Sequence, residues 1–453
     1  MKLAVIGLDC AAPALVFDRY RGELPNLERL MRQGSWALMR SSHPPITVPA
    51  WTCMLSGCDA GQLGIYGFRN RRSYDYGAYA IVDSRTIQQD RIWDVLSRAG
   101  LQSIVIGVPP TYPVRPLNGA MISCFLTPSA NSPYAFPPEL KAEAEAVTGG
   151  YVFDAEGFRT DDKAALLERI YQKTGKNFTL ARHLARTRPW DFFMMVEMGV
   201  DRIHHGFWSF IDPGHRKYRP GNPFEDAVRK YYQYVDREIG MLLDQFPADT
   251  EVVVVSDHGA KRIDGGVCIN EWLIQNGYLA LKETPAQPVP IDRVAIDWTR
   301  TRAWGDGGYY GRLFLNVRGR EPQGVVEPAA VDGLLEELRQ GLEATRPGTK
   351  AYRPGELYPR PGGYPPDLIV YFGDLHWRSV GSVGSGSIYS LENDTGPDEA
   401  NHDWNGIFIN GAPRDRVGGD CGTVAIYDIG PTLLARFGLR FDGDGRVGQV
   451  RGW

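Results

Sequence analysis

Four apolar runs of strand length, at Leu3–Leu8, 102–108, 190–198 and Glu251–Val255, are each followed by residues in a helical pattern. Strands buried on both faces read as unbroken apolar runs, and crossover helices between them impose parallel pairing. The expected fold is therefore α/β, with a doubly wound, mainly parallel central sheet flanked by helices. Helices are expected at 24–33, where Pro25 suits a first turn, at 91–99 and at 223–245. In such sheets the ligand crevice lies beyond the carboxyl ends of the strands, so chemistry is sought just after each run.

Two stretches break the alternation. Residues 127–188 carry Pro137-Pro138 and then charged helical sequence, which reads as a helical insertion. Residues 283–393 are rich in Gly, Pro, Tyr and Arg, with a helix near 331–345, and read as an inserted cap. The core is then expected to comprise 1–282 and 394–453. With 453 residues and 43% hydrophobic side chains the chain can bury a large core, which excludes a disordered or coiled-coil protein. Its 50 basic and 54 acidic residues give a net charge of −4, which argues against stable nucleic-acid binding held by charge. No apolar run reaches the ~20 residues of a membrane span, and the first residues run directly into a strand, so a cytoplasmic protein with no membrane contact is expected. Its six cysteines lack paired CxxC spacing and are expected to be reduced thiols.

Carboxylates close three of the runs. Asp9 follows the first, Asp201 follows the third, and Asp257-His258 follow the fourth in Ser-Asp-His-Gly. Buried carboxylates in one place repel one another unless a cation sits among them. In Gly199-Val-Asp-Arg-Ile-His-His-Gly206, Asp201 and His205 are four apart and share one helix face, whereas His204 points about 100° away. His402 lies ahead of the apolar Gly406-Ile-Phe-Ile. Asp9, Asp201, His205, Asp257, His258 and His402 thus offer three carboxylates and three imidazoles, a donor set for two divalent ions, zinc first and manganese second. The remaining histidines, His43, His183, His204, His215 and His376, are read as surface or satisfied polar residues.

Between the first two runs lies Thr47-Val-Pro at the head of a helix that closes in Ser56-Gly57, followed by Gly61-Gln-Leu-Gly-Ile-Tyr-Gly-Phe68. A strand ending in Gly-Leu-Asp, a Thr-x-Pro helix start, a Leu-Gly-Ile turn, DxxxH, Asp-His-Gly and a late His before Gly-Ile-Phe resembles the alkaline phosphatase superfamily. Within it, the order of motifs is similar to the type I phosphodiesterase and nucleotide pyrophosphatase family, whose end the tail at Asp428-Ile-Gly-Pro and Asp444-Gly-Arg446 also resembles. The resemblance implies that Thr47 is the nucleophile and a ligand of one ion, with Asp9, Asp257 and His258. Asp201, His205 and His402 would hold the second. It further implies in-line attack on phosphorus and a covalent phospho-threonine, then hydrolysis. A threonine hydroxyl is a poor nucleophile at neutral pH, but cation coordination and a helix amino terminus both favour its attack on phosphate. Thr52, one turn on, reads as an ordinary helix residue.

One family feature is missing. An asparagine after the Gly-Ile turn contacts phosphate in the family, and Gly67 stands near that position here. Arg69, Asn70 and the backbone amide of Thr47 are the candidate replacements, and Lys261 and Arg262, just after Asp-His-Gly-Ala, are candidates to attract phosphate. Tyr309, Tyr310, Tyr364, Tyr371 and Trp377 of the cap are candidates either to stack on a base or to form the cap's own core. The expected substrate is a small, nucleotide-like phosphoester. The alternatives are a phosphomonoesterase or phosphonate hydrolase of the same superfamily, or a sensor that binds metal without turnover. A mutase-type phosphotransferase would carry serine at Thr47. A sulfatase would need a C/S-x-P-S-R motif, which is absent.

Overall fold

The computed structural model describes residues 1–411, 419–442 and 450, so Asp444 and Arg446 lie outside the described residues. Nine strands form the central sheet, in the order Gly419–Ala425, Ser35–Arg40, Asn405–Asn410, Glu251–Val255, Leu3–Leu8, Phe192–Glu197, Ser103–Ile106, Gly119–Ile122 and Ala135–Phe136. Leu3–Leu8 lies at the centre, parallel to both neighbours. Asn405–Asn410 and the edge strand Ala135–Phe136 run antiparallel, so the sheet is mixed but mainly parallel.

Alternation along each central strand divides the core in two. Ala4, Ile6, Leu8, Phe193, Met195, Val252 and Val254 face one side, where they pack with helices Pro25–Gln33, Lys163–Thr187, Gly199–Ile211 and Ala227–Leu243. Leu3, Val5, Phe192, Met194, Val253 and Val255 face the other, against Thr47–Ser56, Ile92–Arg98 and Ile426–Arg436. Both faces are covered, which is why these strands read as unbroken apolar runs.

Two expected boundaries shift. The stretch 127–188 is no separate insertion: helix Lys163–Thr187 buries Leu166, Ile170 and Phe178 in the main core, and Ala135–Phe136 joins the main sheet. The cap's core begins before residue 283. Val267, Ile269, Trp272 and Leu273 pack with Leu313, Leu315, Leu338 and Val370, and Gly265–Cys268 pairs with Trp377–Val380 and Tyr389–Ser390. Within the cap, Ala303–Asp306, Gly311–Leu315, Leu368–Tyr371 and Lys350–Tyr352 form a four-stranded sheet covered by helix Val331–Glu343. Among the described residues, no helix is long and apolar enough to cross a membrane and no disulfide forms.

Gly7 sits where the strand before Asp9 is crossed by a tryptophan. A Cβ there would lie 2.6 Å from Trp51 Cη2 and 2.8 Å from Val196 Cγ2, both in the core. Only a bare backbone lets helix Thr47–Ser56 come down onto the sheet. Gly7→Ala is therefore expected to destabilise the fold by about 1–3 kcal/mol through overpacking. Urea denaturation checks this, and an unchanged midpoint would show that Trp51 yields freely.

Candidate active site and metal centre

Carboxyl ends of three adjacent parallel strands meet at one edge of the sheet. Asp9 leaves Leu3–Leu8, Asp201 and His205 stand in the first two turns of Gly199–Ile211, and Asp257 with His258 follows Glu251–Val255. His402 arrives by a different route: Ala400–Asp403 pairs antiparallel with Gly259–Arg262, setting His402 opposite Ala260. Thr47 is the first residue of a helix that is buried along its whole length. All seven side chains are at most 3% exposed.

The three imidazoles share one hydrogen-bonding logic. Nδ1 of His205 donates to the Asp398 carboxylate at 2.7 Å, Nδ1 of His402 to the Pro45 carbonyl at 3.0 Å, and Nδ1 of His258 to the Gly259 carbonyl at 3.2 Å. Each acceptor can only accept, so the proton lies on Nδ1 and every neutral Nε2 turns a lone pair inward. There Nε2 of His205 faces Nε2 of His402 at 3.3 Å and Asp201 Oδ1 at 3.1 Å. His258 Nε2 lies 3.0 Å from Asp257 Oδ2, 3.4 Å from Thr47 Oγ1 and 3.8 Å from Asp9 Oδ1. Facing acceptors repel unless something positive lies between them.

The carboxylates carry the same signature. Burial, then the charges of Asp257 and Asp201, push Asp9 well above the usual carboxylate range. Trp51 Nε1 donates to Asp9 Oδ2 at 2.7 Å, yet Oδ1 of Asp9 and Oδ2 of Asp257 are buried without a hydrogen-bond partner. Protons can neutralise part of this cluster: against the downward pull of burial, neighbouring carboxylates lift His205 and His258 each to about 9. A metal cation placed there would satisfy the orphaned oxygens and the inward lone pairs together. Ligand atoms of Asp201, His205 and His402, and likewise of Asp9, Asp201 and His258, lie within 4.8 Å of one another. The residues fit metal.

Around this cluster opens a cavity of about 730 Å³, lined by Thr47, Asp201, His205 and His402 at one end. Arg69 lines it too, its guanidinium over the Tyr79 ring. Asn70 does not: its amide closes the turn, accepting from Tyr66 N at 2.6 Å and donating to Gly67 O at 2.9 Å. Lys261 is likewise engaged away from the cavity, with Asp403 at 2.9 Å and Asp374 at 3.3 Å, and Arg262 pairs with Asp264. Gly67 has no space for a side chain, since a Cβ would meet Tyr310 Oη at 2.9 Å and Arg312 Nη1 at 3.2 Å. Thr52 donates to Val48 O, as an interior helix residue does.

Of the cap aromatics singled out, Tyr309 and Tyr310 line the cavity. Tyr364 instead packs on Tyr74, Tyr371 on Trp404, and Trp377 on Tyr389 and Arg346. Tyr76, Trp298 and Trp304 line the cavity as well and carried no motif in the sequence. His204 turns away from the cluster to the Tyr232 hydroxyl at 3.0 Å, and burial lowers it to about 3. His43, His183, His215 and His376 bond to Tyr371, Glu143, Glu399 and the Arg262 carbonyl.

Asp398 had no motif either. Fully buried, it receives His205 Nδ1–H, the Tyr309 hydroxyl at 3.0 Å and Arg159 Nε at 3.1 Å. Burial alone would raise this carboxyl, but His205 and then Arg159 hold it below the usual range. A carboxylate behind an imidazole fixes the ring and makes its other nitrogen a better ligand. Asp398→Asn is expected to weaken metal binding about 10- to 100-fold, read by calorimetric titration of the metal-free protein. Unchanged affinity would leave Asp398 as a packing residue only.

The family model for type I phosphodiesterase / nucleotide pyrophosphatase matches residues 3–403. Among solved structures, human ectonucleotide pyrophosphatase/phosphodiesterase 5 superposes with a TM-score of 0.59 at 13% identity, covering 98% of this chain and 97% of that one. The murine protein of the same name gives 0.58 at 13% identity, covering 98% of each chain. Its inactive threonine-to-alanine variant in complex with AMP gives 0.59 at 13% identity, with 98% and 97% covered. No curated protein matches. With the strand-end cluster and this match over nearly its whole length, the chain belongs to the type I phosphodiesterase/nucleotide pyrophosphatase family of hydrolases.

Proposed function

We propose that this protein cleaves phosphodiester or pyrophosphate bonds in nucleotide-like small molecules, with Thr47 as the nucleophile. The observation that carries this reading is the continuity of one cavity from Thr47 and the histidine–carboxylate cluster to the wall of Tyr76, Trp298 and Trp304. Tyr76 and Trp298 stack at 3.6 Å with planes 3° apart, and Trp304 meets Tyr76 edge-on at 5.7 Å. A phosphoester held at the cluster would have its organic group in the same cavity as these rings, whose apolar surface suits a flat heteroaromatic base. The AMP complex of the murine relative, and the inactivity of its threonine-to-alanine variant, support both halves of the proposal.

Asp9, Thr47, Asp257 and His258 would hold one divalent ion and Asp201, His205 and His402 a second, zinc first and manganese second. Bound there, the ions supply positive charge for the attacking and departing oxygens. Thr47 sits at a helix start, where backbone N–H groups without intrahelical acceptors attract the non-bridging phosphate oxygens. Its Oγ forms a bond to phosphorus as the bond to the leaving group breaks, and the Oγ proton ends on the departing oxygen. Water then attacks phosphorus, breaks the bond to Thr47 and restores its proton, so one water is consumed per bond cleaved. Trp51 keeps Asp9 oriented, and Asp398 keeps His205 oriented, through both steps.

Thr47→Ala is expected to lower kcat on a chromogenic phosphodiester by at least about 10³-fold, while elemental analysis finds the metal content retained. Activity near that of the parent would remove Thr47 from the mechanism. Chelation should abolish turnover, and added zinc or manganese should restore it. On the reloaded protein, kcat/KM is expected to favour the diester over the matching monoester. A monoester preference would instead favour the phosphomonoesterase or phosphonate-hydrolase reading.

A further inference from the structure

Cys10 follows Asp9 and is fully buried, with a φ of +64° that L side chains rarely adopt. Its backbone N–H donates to Asp257 Oδ1 at 3.1 Å, and its thiol faces the Gly259 carbonyl at 3.3 Å. That turn aims sulfur into the centre. Sγ and one ring nitrogen each of His258 and His402 lie within 4.8 Å of one another. The two rings lie against each other, centroids 3.9 Å apart with planes 20° apart. Beside them, Asp9 Oδ1 and Asp257 Oδ2 are the buried oxygens without hydrogen-bond partners.

We infer that Cys10, His258 and His402 form a second kind of metal site, one for a soft, thiophilic ion, that overlaps the site for hydrolysis. Thiolate selects soft ions, whereas carboxylates select hard ones. Cys10 and Asp9 are adjacent, so the centre presents both characters. Binding exchanges the S–H bond for a sulfur–metal bond and releases the proton to solvent. Such an ion takes His258 from one proposed ligand set and His402 from the other, and thereby excludes the ions that serve hydrolysis. No other thiol competes at this point: Cys58 is half-buried elsewhere and Cys421 is exposed.

Cadmium titration of the metal-free chain, in a Cys58→Ser, Cys421→Ser background, tests the inference. The expected result is a near-ultraviolet thiolate-to-cadmium band that saturates at one equivalent. Cys10→Ser and Cys10→Gly should lose the band and bind cadmium at least tenfold more weakly. Glycine accepts the positive φ, so that variant removes sulfur without adding backbone strain. X-ray absorption of the cadmium-loaded parent reads the same point with Cys10 intact, and a sulfur neighbour is expected. Absence of the band in the parent, its persistence in both Cys10 variants, or a purely nitrogen and oxygen coordination sphere would each overturn the proposal. The readout is ligand identity, so it stands or falls separately from the diester preference.

Discussion

Three carboxylates and three imidazoles are held out of water at one edge of the sheet, and this crowding governs the rest of the architecture. Bringing even one carboxylate into such surroundings costs several kcal/mol unless it is neutralised. The fold meets that cost by fixing each group from behind. Carbonyls of Gly259 and Pro45 and the Asp398 carboxylate take the Nδ1 protons, and Trp51 takes one oxygen of Asp9. What remains unsatisfied points inward, to the place where positive charge is required. The hydrophobic layers on both faces of the sheet make this possible, because they hold Asp9 and Asp257 just past two strand ends, and Asp201 on the helix that follows a third, so that the three cannot drift apart.

Much of this was legible before any coordinates. Continuous apolar runs marked the doubly covered strands, and Leu3–Leu8 and Glu251–Val255 match their structural limits. The four-residue spacing of Asp201 and His205 put both on one helix face, and that face is turned to the cluster. Harder to read were residues whose role depends on long-range pairing. Ser35–Arg40 alternates buried and part-exposed positions and gave no apolar run. Asp398 sits in a loop next to Glu399, with nothing local to separate a buried orienting carboxylate from a solvated one. Asn70 and Lys261 carried the right chemistry at a plausible distance in sequence. Whether an amide turns toward a cavity or closes its own turn is decided by partners that spacing does not encode.

The cap contributes in two distinct ways. Tyr309 packs against His205 and His402 at 5.1 and 4.3 Å, so it belongs physically to the metal centre although it lies in the cap. Tyr310 and Arg312 fill the space beside Gly67 that a phosphate-contacting side chain would need. Here the cap packs directly onto the turn that follows the nucleophile helix. The cap thus closes the space beside Gly67 and supplies Trp298 and Trp304 to the cavity's lining, while Tyr76 comes from the main core.

Antiparallel pairing of Gly259–Arg262 with Ala400–Asp403 brackets nearly the whole cap between two short strands. Topologically the cap is one long loop whose ends are stitched together next to His258 and His402. Loop-closure entropy grows only logarithmically, about 0.6 kcal/mol for each doubling of length. Changes of length in the exposed turns between the stitches therefore cost the closure little, provided that the cap's own core and its packing on Ile46 and Val48 are kept. The turns above the cavity can thus vary in length while the point where His258 and His402 meet stays still.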